Sequence, residues 1–118
     1  MKANLLIKKI TNLIKEKKGY DIHVIDLKNL SSLTDCFIIC TSDSDPQTRA
    51  ICNHVKKELS KNKIKPLQIE GFEYMDWILI DYCDVVIHIF KKEPREFYNI
   101  ERLWLDAEIE TIEDNSEK

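Results

Sequence analysis

Apolar residues are most concentrated between positions 70 and 90, where two short runs are separated by a polar turn. Residues 77–80 and 85–89 are mostly β-branched or aromatic, and residues 81–84 (Asp-Tyr-Cys-Asp) lie between them. This pattern predicts two antiparallel strands joined by a tight turn. Because side chains alternate along a strand, Trp77 and Ile78 point to opposite faces, and both faces carry apolar residues. We therefore expect a hairpin within a sheet that is covered on both sides, with Ile78 or Ile80 facing the core.

The rest of the chain shows helical and strand periodicities on either side of this hairpin. Helices are predicted at residues 4–18, 45–61 and 94 to about 104, and further strands at 21–27, 36–41 and 66–70. Residues 36–41 (CFIICT) are apolar almost throughout, which is typical of a strand buried on both faces. The expected inward face of the third helix consists of Phe97, Ile100, Leu103 and Trp104.

This order of elements predicts an α/β fold with a mixed β-sheet of about five strands flanked by helices. A chain of 118 residues has the usual size of one domain, and we assign residues 1–107 to it. The last thirteen residues carry six acidic side chains against one Lys and show no core pattern after Ile112. Residues 108–118 are therefore predicted to form an acidic C-terminal tail that is frayed at its end.

The composition is that of an ordinary globular protein, and it argues against several classes. The four cysteines form no Cys-x-x-Cys pair and the three histidines are scattered, so we expect free thiols and neither a metal nor a cofactor. No apolar run approaches the ~20 residues that span a bilayer, and the Lys-bearing start does not lead into an apolar signal core. We expect a cytoplasmic protein without a membrane segment.

Lysine is enriched at the start of the chain, where residues 1–20 contain six Lys and one Glu. Such a segment could contact an anionic surface. No aromatic residue is interleaved among these lysines for base stacking, so we favour a solvated helix face.

The sequence Asp43-Ser44-Asp45 follows the buried strand at 36–41 and has two interpretations. Two carboxylates there could hold Mg²⁺ and clamp a triphosphate, as in nucleotidyl transferases, with Asp81 or Asp84 as a third ligand. The chain lacks a glycine-rich phosphate cradle, however, and Asp45 followed by Pro46 is a good N-cap and first-turn pair for the second helix. We favour the capped turn and keep a magnesium-dependent nucleotidyl transferase as the alternative.

Acidic residues surround the predicted hairpin, with no Lys or Arg among them. They are Glu70, Glu73, Asp76, Asp81 and Asp84. Together with the nearby Tyr74, Trp77 and Tyr82, they could form a binding surface, since aromatic anchors and complementary charge are how small domains bind partners. A basic partner protein would suit such a surface, and phosphate would be repelled from it. The alternative is that Trp77 belongs to the core, because Trp is highly buried on average.

Several motifs of this sequence resemble those of the ribosomal silencing factor (Iojap) family. The resemblance is carried by residues 35–42 (DCFIICTS), 47, 49–51, 70–71, 77–82 (WILIDY), 84–88 (DVVIH), 97–98, 101, 103–104 and 106–107. They occur in order over residues 21–107, which makes the combined match much more specific than any single motif. Two positions differ, since the family usually has Gly at the position of Cys83 and close to that of Met75. If the turn at Cys83 requires φ > 0, the side chain should cost about 1 kcal/mol or more.

The resemblance implies a nucleotidyltransferase-like fold without established catalysis. It implies binding to the large ribosomal subunit at the ribosomal protein numbered fourteen, which blocks joining of the small subunit and represses translation. It also implies a homodimer in the free state. We expect any peripheral rRNA contact to use the Lys-rich first helix or the lysines at 56, 57, 61, 63 and 65. The partner-binding residues carried over from the motifs and the neighbouring acids are Glu70, Glu73, Trp77, Ile78, Asp81, Tyr82, Asp84 and His88.

Overall fold

A six-stranded mixed sheet organises the computed structural model, which describes residues 3–113. The elements are α1 (Ala3–Glu16), β1 (Tyr20–Asp26), β2 (Cys36–Ser42), α2 (Asp45–Ser60), β3 (Gln68–Glu70), β4 (Trp77–Asp81), β5 (Val85–Lys91), α3 (Lys92–Tyr98), a 3₁₀ helix (Ile100–Trp104) and β6 (Glu108–Ile112). The strand order is β3-β4-β5-β2-β1-β6, in which only β2 and β5 are parallel neighbours. The predicted α/β class is confirmed, and the sheet has six strands instead of about five.

The predicted hairpin is formed by β4 and β5, and it lies near the centre of the sheet. The two strands are antiparallel, with Trp77 opposite Phe90 and Ile80 opposite Ile87. Residues 85–90 of β5 are all buried, because β5 lies between β4 and β2 and is covered on both faces. The sheet therefore has two apolar faces, which we name the helix face and the aromatic face.

The helix face carries the larger core and is covered by α1 and α2. Amphipathic stripes on the two helices supply Leu6, Ile10, Leu13 and Ile14 from α1 and Ile51, Cys52, Val55 and Leu59 from α2. Ile78 and Ile80 point into this core from β4 and are fully buried, as the alternation of side chains predicts. Most of the apolar burial in the molecule is therefore on this face.

The aromatic face has a thinner cover, made by α3 and the 3₁₀ helix. The single helix predicted from residue 94 to 104 is wrong, because Asn99 adopts a left-handed conformation (φ 43°, ψ 57°) that ends α3. Of the expected inward residues, Ile100 is buried and Trp104 is partly buried, but Phe97 and Leu103 are 81% and 75% exposed. The break redirects the chain so that its inward side chains no longer follow one helical stripe.

The C-terminal boundary of the domain also differs from the expectation. Residues 108–112 were expected in an acidic tail, but they form β6 and pair with β1, with Ile112 opposite Ile22. The strand is hard to recognise because Ile109 and Ile112 are three residues apart and lie on opposite faces, so no period of two appears. Residues 114–118, where the tail is predicted to fray, lie outside the described residues. Within residues 3–113, no helix is long and apolar enough to cross a membrane.

The start of α2 corrects the predicted cap. Ser44 is the N-cap, and its side-chain oxygen accepts a hydrogen bond from the backbone N–H of Gln47 at 3.2 Å. Asp45 lies in the first turn of the helix, followed by Pro46, and its carboxylate is therefore available for another contact.

The β4–β5 turn places Cys83 in the left-handed region at φ 75°. Its N–H donates to Asp81 Oδ1 at 2.8 Å, and Tyr82 N–H donates to the Val85 carbonyl at 2.9 Å. The turn thus has the geometry that suits glycine, and the Cβ of Cys83 makes it less favourable. Met75 is also left-handed, at φ 65°, but its buried side chain contributes to the core.

Replacing Cys83 by glycine should stabilise the protein. We expect Cys83→Gly to raise the free energy of unfolding by roughly 1 kcal/mol, because the exposed side chain gains little from packing and strains the turn. Denaturant unfolding would measure the change, and Cys83→Ala is the matched control because it keeps a Cβ. Equal stabilities of the Gly and Ala variants would contradict the assignment of strain to φ.

Truncating β4 should have different effects on its two faces. Ile80→Ala should lower the free energy of unfolding by about 2–5 kcal/mol, since Ile80 is fully buried on the helix face. The neighbouring Leu79→Ala should cost less, because Leu79 is partly exposed on the aromatic face. If Leu79→Ala lowers the denaturation midpoint as much as Ile80→Ala, the face assignment is wrong.

Candidate functional site

Six aromatic rings cross the aromatic face in one continuous row. They run in the order Phe97, Tyr98, Trp77, His88, Phe37 and Trp104, and we call them the aromatic row. Successive ring centroids are 5.1, 5.0, 5.9, 4.5 and 6.0 Å apart, within the range of favourable aromatic pairs. Phe90 lies buried beneath the row and stacks on Trp77 at 4.7 Å. Through side chains of the sheet, the row joins the last turn of α3 to the end of the 3₁₀ helix.

Trp77 is partly exposed on this face, at the start of β4, and its side chain is contacted from three directions. Phe90 stacks against its ring, Tyr98 lies beside it, and its indole N–H donates a hydrogen bond to His88 Nδ1 at 3.0 Å. The backbones of Gly71 and Trp77 approach closely, because a Cβ at position 71 would lie 2.0 Å from the Trp77 carbonyl oxygen. Gly71 also has φ 86°, so the turn before β4 requires glycine for two reasons. The Trp77 side chain is therefore rigidly oriented while part of its surface stays accessible.

His88 supports Trp77 from within the sheet and is only 3% exposed. Because Nδ1 accepts the Trp77 hydrogen bond, the proton of the neutral ring is on Nε2, and no residue in the described part of the chain accepts from it. Burial against Phe37, Trp77 and Phe90 lowers the pKa of His88 to about 4. His88 is neutral at physiological pH and is not itself accessible to a partner.

Two of the predicted acidic residues lie on the same face as Trp77. Glu70 pairs across the strands with Leu79, and Gln68 pairs with Asp81, so Glu70 and Asp81 both lie on the aromatic face beside Leu79. Glu73 is exposed in the turn between β3 and β4. The aromatic row is thus bordered by carboxylates on the side of β3 and β4.

Three of the residues carried over from the family motifs lie elsewhere. Ile78 and Tyr82 point to the helix face and are buried, and burial raises the pKa of Tyr82 to about 12. Asp84 lies in the β4–β5 turn, at the opposite end of β4 from Trp77, where its carbonyl accepts from the Asp35 N–H. Because these side chains are buried or distant, we leave all three out of the proposed contact surface.

Arg95 holds the thin cover of the aromatic face in place, and sequence reasoning did not find it. Its guanidinium donates to the Asp21 carbonyl, to Thr41 Oγ1 at 2.7 Å and to Glu101 Oε2 at 2.7 Å. His23 Nδ1 lies 2.7 Å from the same Glu101 oxygen. Although burial opposes it, contact with Arg95 and His23 holds the pKa of Glu101 below its usual value. No periodic pattern links Arg95 to Glu101, because the left-handed Asn99 lies between them.

The carboxylates of the alternative magnesium site are engaged by other side chains. Tyr20 donates to Asp43 Oδ1 at 2.6 Å, and this hydrogen bond raises the pKa of Tyr20 to about 12. Lys91 Nζ lies 2.7 Å from Asp45 Oδ1 and 3.2 Å from Asp76 Oδ1, and these contacts raise the pKa of Lys91. Residues 3–113 contain no group of three or more His, Cys, Asp or Glu side chains that could hold a metal ion. Because Tyr20 and Lys91 already contact Asp43 and Asp45, the geometry of these carboxylates favours the structural interpretation over the nucleotidyl transferase interpretation.

Comparison with known proteins gives consistent matches over most of the chain. A family model described as "Ribosomal silencing factor during starvation" matches residues 1–118. The ribosomal silencing factor of Bacillus subtilis is 38% identical over 98 residues, which cover 83% of each chain. That of Halalkalibacterium halodurans is 37% identical over 102 residues, which cover 86% of this chain and 87% of the relative. A crystal structure of a Chromobacterium violaceum protein matches with a TM-score of 0.85 at 34% identity, over 88% of this chain and 87% of that one.

The relatives define a class of regulators that act on translation, and their names describe silencing and not an enzymatic reaction. The chain belongs to the ribosomal silencing factor family. The resemblance carried by the sequence motifs is thereby confirmed, and with it a role in repressing translation.

The burial of neutral His88 should make stability depend on pH. An unfolded His has a pKa near 6.5, and the folded value is about 4, so the unfolded chain binds the proton first as the pH falls. The free energy of unfolding should therefore drop by roughly 3 kcal/mol from this group between pH 6.5 and 4. In His88→Gln, which keeps an acceptor for Trp77 but does not titrate, this part of the pH dependence should disappear. Identical pH slopes for the two proteins in denaturant unfolding would contradict the assignment.

Proposed function

We propose that the protein binds the large ribosomal subunit at the ribosomal protein numbered fourteen and thereby blocks joining of the small subunit. Docking would occupy the joining face of the large subunit, so repression of translation would require no catalysis. The family membership supports the role in translation, and the resemblance motivates the particular partner.

The observation that carries this proposal is the incomplete cover of Trp77 on the aromatic face. The ring is oriented by Phe90, Tyr98 and His88 but remains partly exposed. Exposed apolar side chains continue along the α3–3₁₀ segment, with Phe97 at 81%, Tyr98 at 52% and Leu103 at 75%. A rigid aromatic residue within an apolar patch is the type of anchor that contributes most of the energy in protein interfaces. His88 contributes as the support of Trp77, since it is itself buried.

The acidic residues at the border of the aromatic row define the charge of the partner. Glu70 and Glu73 lie on the β3 side of Trp77, and Asp81 lies on the same face at the other end of β4, so a basic ribosomal protein would complement this border. Such rim charges mainly steer the encounter of two proteins, so they favour fast association at low salt.

The opposite side of the molecule suits a peripheral contact with rRNA. The first 66 residues carry 13 basic and seven acidic side chains, whereas the remaining 52 carry five basic and 14 acidic. The basic excess belongs mainly to α1, α2 and their following turns, which include Lys8, Lys9, Lys56, Lys57 and Lys61. Contacts of these lysines with phosphate would add salt-dependent affinity without reading the RNA sequence.

The homodimer that the family resemblance implies stays a prediction, which sedimentation equilibrium of the free protein would test.

Removing the Trp77 side chain should abolish most of the specific binding. The Trp77 ring would be desolvated on binding and act as an aromatic anchor. Trp77→Ala should therefore weaken binding to purified large subunits by at least 2 kcal/mol, or about thirty-fold. Co-sedimentation with large subunits measures the affinity, and a subunit-joining assay measures the functional effect.

The matched control is Leu5→Ala, which removes another exposed apolar side chain, 59% exposed on α1. It should bind like the unchanged protein. Thermal unfolding must show that Trp77→Ala is folded, because the ring also packs on Phe90. If a folded Trp77→Ala protein still prevents subunit joining at the original concentration, the aromatic face is not the docking surface.

A further inference from the structure

We propose that the free edge of β6 and the groove between β6 and α1 bind an extended basic peptide, which adds to the sheet as a seventh strand. This surface lies on the helix face and at the edge of the sheet, apart from the aromatic row. The proposal therefore does not depend on how the protein docks through Trp77.

The first observation is that β6 presents a free edge. It pairs with β1 on one side, and among the described residues no strand pairs with its other side. Its register with β1 is continuous over five residues, and it contains no Pro, while its two charged residues, Glu108 and Glu110, disfavour pairing with an acidic strand and not with a basic one. The other edge strand, β3, has only three residues, which is itself a protective feature. Of the two edges, β6 is the one that offers a template for an added strand.

The second observation is a groove of about 860 Å³ beside this edge. One wall is the side of α1 that carries Ile7, Lys8 and Thr11, and the sheet side is lined by residues of β1, β2, β5 and β6. Apolar residues of the sheet side include Val24, Cys36, Val85 and Ile112. An edge strand next to a helix and a groove is suited to strand addition, in which main-chain hydrogen bonds give affinity and alternate side chains enter the groove.

The third observation is the charge of the groove, which selects the peptide. Its lining contains five carboxylates, from Asp26, Asp35, Asp84, Glu108 and Glu110, and three lysines, Lys8, Lys15 and Lys28. Glu108 and Glu110 lie on the same face of β6 as Ile112, which is opposite the core residue Ile22. In an antiparallel peptide, the residues opposite Ile112, Glu110 and Glu108 would follow one another at every second position. The expected pattern is apolar-x-(Lys/Arg)-x-(Lys/Arg).

The same charges disfavour a second copy of this chain as the occupant. An antiparallel β6–β6 pair centred on Glu110 would place two Glu110 side chains directly opposite each other. It would also place each Glu108 opposite the Ile112 of the other copy. Like charges in directly opposed positions destabilise a strand pair, whereas Lys or Arg there would stabilise it. Charge complementarity therefore favours a basic peptide over self-association.

The test uses the acetylated peptide Ser-Val-Thr-Lys-Val-Lys-Thr with an amidated C-terminus, titrated into the full chain at low salt. Calorimetry measures its affinity, and amide chemical shifts locate its binding site. The matched peptide has Glu at both Lys positions and should bind at least ten-fold more weakly, because it places like charges opposite Glu108 and Glu110. The shifts should be largest in residues 108–112 and along the side of α1 that faces the groove.

The protein variant is Glu108→Lys combined with Glu110→Lys, which should weaken the basic peptide at least ten-fold. Its control is Glu93→Lys combined with Glu96→Lys, an equal charge change at exposed positions of α3, which should leave the affinity unchanged. Trp77→Ala should also bind the peptide normally. The proposal is overturned if the peptide does not bind, if it binds the two charge variants equally, or if its shifts lie on the aromatic face. It is also overturned if residues 108–112 shift with protein concentration and not with peptide, which would assign the edge to a second copy.

Discussion

The burial of β5 on both faces is the constraint on which the rest of the structure depends. Residues 85–90 lie between β4 and the parallel strand β2, so apolar side chains leave the sheet in both directions and require two covers. α1 and α2 provide a full cover on the helix face. On the aromatic face the cover is a seven-residue helix without a buried residue and a single 3₁₀ segment. Large aromatic side chains of the sheet make up the difference there, and Trp77 is left partly exposed.

A polar network compensates for the small apolar contact of the α3–3₁₀ segment. Arg95 connects it to β1 and β2 through the Asp21 carbonyl and Thr41, and it also pairs with Glu101, which in turn contacts His23 of β1. Its side chain is only 11% exposed and Glu101 only 17%, so this pair is better shielded from solvent than an ordinary surface ion pair. The network fixes the segment that carries Phe97, Tyr98 and Trp104, and so it fixes both ends of the aromatic row. Fold stability and the geometry of the proposed docking surface therefore depend on the same few residues.

Sequence patterns predicted those parts of the fold that follow from a single periodicity. The β4–β5 hairpin, the buried β2 strand and the two long helices were predicted this way, and Ile78 or Ile80 was expected in the core, where both lie. The prediction failed where a local conformation interrupts the period, as at Asn99, or where apolar residues lie on opposite faces, as in β6. In the candidate site, Trp77 could be recognised as a special residue. The burial of His88 could not be inferred, because the α3–3₁₀ segment covers its face of the sheet and the break of that segment at Asn99 follows no periodic pattern.

The central claim is that the aromatic face contacts the large subunit, and site-directed photo-crosslinking tests it most directly. A photoreactive phenylalanine derivative at Tyr98 would lie beside Trp77, with little change in shape, and the same derivative at Leu5 would lie on α1. Each protein would be bound to purified large subunits, irradiated and analysed for the crosslinked ribosomal protein. The account predicts a strong crosslink from Tyr98 to the ribosomal protein numbered fourteen and none to it from Leu5. A crosslink to that protein from Leu5 and not from Tyr98 would contradict it.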